Sequence, residues 1–307
     1  MVPGNEGLSR NLRQRYSTAV IVHWGDPRLT VEAALRYDRE ECFSKVVIVA
    51  NDLQQCPSGL RGSRISWLVP PRNLGFGGGC SFGACRFPAE KYAFLNADVT
   101  FHADAITMCM EALDIPQVGI SAPTLLFPNG DLQSGCGAVS KRMKIPRSDA
   151  RPSQPISECD WVTGASLFCR AEVLDSVGFD GSYFLGYEDL DIAYRAKLAG
   201  WKVAVVSGAT ATHPSRTTLN GVRPIYYGIR NPIWFSRRHS SFLGSVATTL
   251  YVIRKAPRVA LADAVKRRPP HTLLMFRGLV AGWGPLPNTK EPLSGEPIPS
   301  RWIDWQA

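Results

Sequence analysis

Apolar residues recur along this chain in two rhythms. Four runs are continuous and rich in β-branched side chains: TAVIVHW (18–24), SKVVIVAND (44–52), RISWLVP (64–70) and KYAFLNADVTF (91–101). Unbroken apolar runs of this length are expected of parallel strands covered on both faces. Between the first two, the turn Gly25-Asp26-Pro27 opens RLTVEAALRYDREE, whose apolar positions have helical spacing. The glycine-rich stretch NLGFGGGCSFGACR (73–86) is predicted to lead, as a loop, into a short helix. Strands alternating with helices predict a doubly wound α/β layout.

The second half is less regular. QVGISAPTLLFPNGDLQSGCGAVS (117–140) predicts short strands and turns, and the Pro/Ser-rich, charged KIPRSDARPSQPISE (144–158) predicts a loop. GYEDLDIAYRAKLAGW (186–201) has amphipathic helical spacing, and WKVAVVSGATATH predicts a strand ending at His213. Beyond Arg223, PIYYGIRNPIWFSRRH, SFLGSVATTLYVIRKAPRVALADAVKR and HTLLMFRGLVAGW read as amphipathic helices. The expected organisation is a polar, disordered leader over 1–16, a catalytic α/β domain over 17–222, a helical region over 223–285 and an extended Pro-rich tail over 286–307.

Composition narrows the function classes. At 45% hydrophobic and 20% charged residues the chain is a globular one. No apolar run reaches the ~18–20 residues that a bilayer crossing needs. The eight cysteines contain no CxxC pair, which argues for reduced thiols in a cytoplasmic protein rather than a zinc ribbon or a disulfide framework. Charge is unevenly placed: residues 223–277 hold eleven Lys/Arg against one acid, Asp263. Such a segment suits a polyanionic partner, a membrane surface, a phosphorylated acceptor or nucleic acid, the last disfavoured by the absence of a recognisable module; it equally suits a solvated surface that packs an oligomer or caps the fold.

Three groups could carry chemistry. The strand ending Asn96-Ala97-Asp98 puts a carboxylate at the edge where open α/β sheets bind ligands, although such an Asp commonly caps a turn. His213 ends another strand, where a histidine is ordinarily structural. The densest feature is Glu188-Asp189-Leu190-Asp191, three carboxylates in four positions. A helix N-terminus attracts acids, but capping needs only one or two of them. Glu188 and Asp191 share a helix face, and Asp189 points elsewhere, free to meet a pocket.

In order and spacing, HWGDP, VAND, NLGFGGGCSFGA, LNAD, WVTGASLFCR, GFDGSYFLGYEDLDIAYRAKLAGW and ATH resemble glycosyltransferase family 2, and within it the rhamnosyltransferase-like branch, over about residues 17–240. The resemblance implies a GT-A fold: a Rossmann-like, mostly parallel central sheet flanked by helices, here with a basic helical C-terminal extension. It implies an inverting transfer of a sugar, rhamnose or another hexose, from a nucleoside-diphosphate donor to an acceptor hydroxyl. Asp189 would be the general base, with Glu188 beside it. Asp98 and His213 would hold Mg²⁺ or Mn²⁺. His23, Trp24, Asn51, Asp52, Asn73, Gly75, Phe76, Gly78, Asn96 and Ala97 would border the donor with Asp98. Trp161, Thr163, Gly164, Tyr227, Arg230 and Asn231 would border the acceptor, a lipid-linked glycan or a small molecule. The implied partners include peripheral contact with the inner membrane face and a homodimer, and no nucleic acid.

The chain departs from the family pattern in three places. Ala50-Asn51-Asp52 stands where Asp-Asn is usual, Gly78-Gly79-Cys80-Ser81 replaces a Gly-Gly-Asn-Asn, and the metal element has Asn96 where many members have Asp. These differences leave open a sugar-nucleotide-binding homologue without turnover. A sugar nucleotidyltransferase is the other alternative, although HWGDPRLT only faintly suits the loop that class carries after its first strand.

Overall fold

The computed structural model describes residues 16–58, 60, 64–214, 222–254, 256–257, 261 and 271–287. The expected leader up to residue 15, most of the expected tail, and Lys255, Arg258, Lys266, Arg267 and Arg268 lie outside the described residues.

The four continuous apolar runs form β1 (Ser17–His23), β2 (Lys45–Ala50), β3 (Ile65–Leu68) and β4 (Lys91–Leu95). β3, β2, β1 and β4 lie side by side and parallel. β1, β2 and β4 are buried along almost their whole length, as unbroken apolar runs require. α1 (Pro27–Tyr37) starts at Asp26, whose side chain accepts from the Arg28 amide, with proline in the first turn where no amide is needed.

The glycine-rich stretch is not a loop. It is itself α2 (Gly75–Arg86), a twelve-residue helix. A Cβ on Gly79 would lie 3.0 Å from both Val22 methyls, and one on Gly83 2.8 Å from Val20. The glycines therefore let the helix axis lie close against β1, and this packing outweighs glycine's poor helix propensity.

The second half completes the same sheet. β5 (Thr100–Phe101) is followed by α3 (Ala105–Ala112), β6 (Val118–Leu126), β7 (Leu132–Ser134), β8 (Cys136–Val139), β9 (Pro146–Ala150), β10 (Ile156–Cys159) and β11 (Ser166–Arg170). α4 (Ala171–Ser176), a 3-10 turn (Gly181–Tyr183), α5 (Glu188–Leu198) and β12 (Lys202–Thr212) follow. Along the sheet the order is β10-β12-β6-β11-β4-β1-β2-β3. β11 is antiparallel to both β4 and β6, and β12 runs parallel to β6. Residues 144–158, expected as a loop, contain β9 and most of β10. β10 adds antiparallel to β12, and β9 pairs with β8 in a separate two-stranded ribbon. Pairing partners distant in sequence supplied the order that the local composition hid.

Two large apolar clusters cover the sheet, one on each face. The first includes Val20, Phe94, Leu167 and Ile192, the second Ile21, Ile48, Leu95 and Phe168. The C-terminal region forms α6 (Val222–His239), α7 (Phe242–Ile253) and α8 (His271–Trp283). α7 and α8 both rest on α6, and α6 packs through Trp234 and Phe235 against Tyr183 and Leu190.

Candidate active site

Parallel strands collect their carboxyl ends at one edge of a sheet. Here that edge gathers His23 after β1, Asn51 and Asp52 after β2, Asn96 to Asp98 after β4, and His213 after β12. β11 runs the other way, so Thr163, Gly164 and Ala165 arrive at the same edge from its amino end; the Asn96 amide donates to the Ala165 carbonyl at 2.9 Å. Residues more than a hundred positions apart thus meet in one place.

Asp98 and His213 face each other, with Nε2 to Oδ1 at 3.2 Å. Burial opposes the charged form of Asp98, but the hydrogen bond and charge of His213 outweigh it and hold this carboxyl below its ordinary pKa. His213 Nδ1 lies 2.8 Å from Gln133 Oε1. The Gln133 amide nitrogen faces the carbonyls of His213 and Pro214 at 3.4 and 3.5 Å, which fixes its oxygen toward the ring. Gln133 therefore accepts from Nδ1–H, and Nε2 is the ring nitrogen that faces the Asp98 carboxylate. This donor set fits a hard or borderline divalent cation. Among the described residues no group of three or more His, Cys, Asp or Glu could hold a metal. Two protein ligands suit an ion whose remaining positions go to phosphate oxygens and waters. Gln133 escaped the sequence reading because it sits on β7, a three-residue strand whose pairing with β6 no local pattern announces.

In the acidic cluster Asp189 and Asp191 diverge, as helical spacing predicts, whereas Glu188 lies beside Asp189 rather than with Asp191. Asp191 is buried: Tyr183 donates to its Oδ1 at 3.2 Å, Arg195 Nε donates to its Oδ2 at 2.7 Å, and His239 Nε2 lies 3.4 Å from it. Burial works against its ionised form, but His239 and Arg195 overcome that and lower its pKa. It is a structural anchor between α5 and α6. Asp189 turns toward β11: the Gly164 amide donates to Oδ2 and the Leu190 amide to Oδ1, both at 2.8 Å. Burial raises its pKa, and these two amides limit the rise. A Cβ on Gly164 would stand 3.2 Å from the Asp189 Cβ and 3.0 Å from the Phe76 ring, so close approach of the carboxylate needs glycine there.

Glu188 lies beneath, almost fully buried, and its Oε2 has no hydrogen-bond partner among the described residues. Burial, with the Asp189 charge adding to it, pushes the Glu188 carboxyl up to about 8. Of the two neighbours, Glu188 keeps its proton more readily and Asp189 carries the negative charge.

The loop that delivers these acids is strained. Phe184 and Tyr187 have φ of 65° and 79°, an uncommon region for bulky side chains. Asn231 Nδ2 donates to the carbonyls of Tyr183, Leu185 and Gly186 at 3.1, 3.0 and 2.6 Å, and Arg230 Nη2 to those of Ser182 and Tyr183 at 2.9 and 2.6 Å. Arg230 stacks on Trp234, with its guanidinium carbon 4.0 Å from the ring centroid, and Tyr227 stacks on Phe184. Tyr227, Arg230 and Asn231 were expected at the acceptor. All three are buried, and Arg230 and Asn231 direct their donors at the loop's carbonyls.

Several donor-side expectations are likewise one layer deeper. His23 is buried, with Nδ1 2.8 Å from Thr30 Oγ1 and Nε2 3.3 Å from Asp52; burial lowers its pKa against the pull of Asp52 and Asp26. Asn51 is buried and donates to the Gly75 carbonyl at 2.7 Å, while Asn73 Oδ1 accepts from the Gly75 amide at 2.9 Å. These groups hold the start of α2. Gly75 has φ 69°, and a Cβ there would lie 2.3 Å from the Phe184 carbonyl. The neighbouring Phe76 amide donates to that same carbonyl at 2.8 Å, joining α2 to the strained loop. Gly78 lies on α2, where a Cβ would approach Leu74 at 3.0 Å. Asp52 accepts from the Gly25 amide at 2.8 Å and remains partly exposed, as do Asn96, Ala97 and Asp98; Trp24 is exposed. Trp161 donates to the Arg147 carbonyl at 3.1 Å and bridges to Gly137, and Thr163 Oγ1 lies 3.4 Å from the Ala165 amide.

No family model matches this sequence. A distant relative is the pre-mycofactocin glycosyltransferase of Mycobacterium tuberculosis, in strains CDC 1551 / Oshkosh and H37Rv, 27% identical over 192 residues. The match covers 59% of this chain and 40% of the relative, so the chain spans well under two thirds of that protein's length. Among solved structures, GalNAc-T7 with UDP, GalNAc and Mn²⁺ matches with a TM-score of 0.55 and 13% identity, over 83% of this chain and 58% of the other. The mannosyltransferase PcManGT of Pyrobaculum calidifontis, in complex with GDP-Man and Mn²⁺, matches with a TM-score of 0.52 and 13% identity, over 87% and 85%. S. aureus TarS in complex with UDP-GlcNAc matches with 0.54 and 10%, over 86% and 79%. The mostly parallel sheet, its flanking helices and the acids gathered at its carboxyl edge give this chain the GT-A-like fold of these glycosyltransferases.

Proposed function

We propose that this protein is an inverting glycosyltransferase that moves a sugar from a nucleoside-diphosphate donor to an acceptor hydroxyl. The observation that carries the reading is the convergence, at one sheet edge, of an oriented base (Asp189 with Gly164) and a two-ligand cation site (Asp98, His213) oriented by Gln133. The names of the related proteins support it, since they describe glycosyltransferases in complex with UDP, GDP-Man or UDP-GlcNAc. The order of sequence motifs directs the first donor screen to rhamnose and other hexoses.

Asp98 and His213 would hold Mg²⁺ or Mn²⁺, which when bound offsets the charge of the diphosphate leaving group. Asp189 takes the proton of the acceptor hydroxyl as its oxygen bonds to the anomeric carbon and the bond to the diphosphate oxygen breaks. A base must lie within hydrogen-bond reach of the proton it removes. The Gly164 and Leu190 amides fix the carboxylate, and its burial makes it more basic than a free aspartate. Glu188, protonated below it, adds no second negative charge to repel the donor. Asp52 and Trp24 border the nucleotide, and Trp161 and Thr163 border the acceptor.

Consumption of UDP-, GDP- and dTDP-sugars in the presence of Mn²⁺ tests this reading. Asp189→Asn is expected to leave donor affinity within about twofold and to lower turnover roughly 10²–10⁴-fold, the usual contribution of a general base. Turnover close to the unsubstituted rate would remove Asp189 from the mechanism. Absence of any sugar-nucleotide consumption by the unsubstituted protein would remove the function.

A further inference from the structure

The last turn of α1 reaches the candidate cation site from a part of the chain that carries no recognisable motif. The buried residues of this helix are Thr30, Ala33, Ala34 and Tyr37, at the spacing of a single helix face. Tyr37 is by far the largest of them. Its ring meets Phe43 and Phe101 edge-on, with centroids 6.5 and 6.1 Å away, which fixes its direction. A buried phenol needs a partner for its O–H. Here the hydroxyl lies between two carbonyls, 3.4 Å from that of Asn96 and 3.3 Å from that of Val99. Arg36, one position earlier, is exposed, and its Nη2 donates to the Ala97 carbonyl at 3.3 Å.

Those three carbonyls belong to the turn that carries Asp98. The turn runs from Asn96 to Val99, with Ala97 and Asp98 as its central residues, and the Val99 amide closes it by donating to the Asn96 carbonyl at 3.4 Å. Pairing in the sheet secures its two ends. The Asn96 amide bonds to Ala165, and Thr100 and Phe101 pair with Thr212 and Ala211, just before His213. The peptides on either side of Asp98 lie between these anchors. The closing bond is longer than usual, so it constrains the middle of the turn weakly. The bonds from Tyr37 and Arg36 act on that remaining freedom. Asp98 stands in register with His213, Oδ1 to Nε2 at 3.2 Å.

We propose that Tyr37 and Arg36 are positioning residues for Asp98, bracing its turn from α1 so that the carboxylate is held opposite His213 for a divalent cation. The inference rests on the cation site of the proposed function and adds two residues to it. Both act through the backbone of the turn, as outer partners that fix a ligand's direction. At Arg36, charge and position have opposite consequences. A guanidinium near a divalent ion repels it, so removing the charge alone would tighten metal binding. Removing the brace weakens it.

Mn²⁺ binding to the full chain, read from the loss of the free-ion electron paramagnetic resonance signal well below the melting temperature, tests the proposal. Tyr37→Phe keeps the ring between Phe43 and Phe101 and removes only the hydroxyl; it should weaken binding about tenfold. Arg36→Ala, an exposed substitution that should leave the melting temperature unchanged, should weaken binding roughly threefold, and Arg36→Lys, which keeps a donor, should restore it. A purely structural role for either residue would lower melting temperature without moving the affinity of the folded protein. Asp98→Ala shows where the ion binds. If Asp98→Ala abolishes binding while Tyr37→Phe and Arg36→Ala match the parent, the inference is overturned and the cation site stands. Tighter binding by Arg36→Ala overturns it as well. A parent protein that binds no Mn²⁺, or binds it equally after Asp98→Ala, loses the cation site and the inference together.

Discussion

Asp189 and Glu188 are adjacent in sequence, yet their surroundings separate their chemistry. Asp189 receives two amide hydrogens at its carboxylate, whereas Glu188 Oε2 receives no hydrogen bond among the described residues. The folded protein keeps the Glu188 proton up to about pH 8, whereas the unfolded chain releases it near 4.5. Across that window the folded state binds more protons, so the Glu188 contribution to stability falls as pH rises and its penalty is complete above about 8. Glu188→Gln removes the ionisable group while keeping nearly the same shape. Its melting temperature should be close to the parent's near pH 5 and exceed it by several degrees near pH 8.5. Melting curves that keep a constant offset across this range would falsify the assignment of a buried neutral acid.

At the scale of elements, the loop between the 3-10 turn and α5 joins three parts of the site. Phe184 contacts Gly75 and the Phe76 amide on α2, Asn231 on α6 holds the carbonyls around it, and α5 carries the acids onward to Gly164. Backbone at positive φ in bulky residues persists only where its surroundings over-determine it. Asn231→Ala leaves the carbonyls of Tyr183, Leu185 and Gly186 without their shared donor. It should cost ~2–4 kcal/mol in denaturant unfolding. Turnover should fall well beyond that loss, because Asp189 follows the loop by two residues. Full activity in a destabilised but folded Asn231→Ala protein would show that the loop conformation is not needed for the base. The same scale explains the glycine-rich stretch. Its composition advertised flexibility, but the glycines serve α2's close contact with β1 and the tight junction at Gly75.

Across the whole molecule, the candidate cation site is assembled from chain ends that only the sheet brings together. Asp98 follows β4, His213 follows β12 and Gln133 lies on β7, so a ligand bound there ties distant segments and should stabilise the fold as a unit. A nucleoside diphosphate at about a hundred times its dissociation constant adds ~2.7 kcal/mol, visible as a rise in melting temperature. That rise is expected to require Mn²⁺ or Mg²⁺. Gln133→Leu, which releases the His213 ring, should weaken the metal affinity read by calorimetry about 10–100-fold, as losses of such outer partners do. Stabilisation by nucleotide that is indifferent to metal would argue against the Asp98–His213 pair as ligands.

The sequence by itself determined the α/β layout, the strand ends that carry Asp98 and His213, and the divergence of Asp189 from Asp191. These follow from local physics: side-chain periodicity fixes which face a residue takes, and an unbroken apolar run fixes a doubly covered strand. It did not determine which polar residues would meet ligands and which would hold the backbone. His23, Asn51, Arg230 and Asn231 are polar residues beside recognisable motifs, and such a position suits either use. Only the tertiary structure decides, because a strained loop must find donors for its carbonyls wherever the fold places them, and α6 lies against it. The same holds for the basic C-terminal third: net charge is a property of the sequence, whereas the inward turn of Arg230, Arg237 and Arg238 belongs to helix packing.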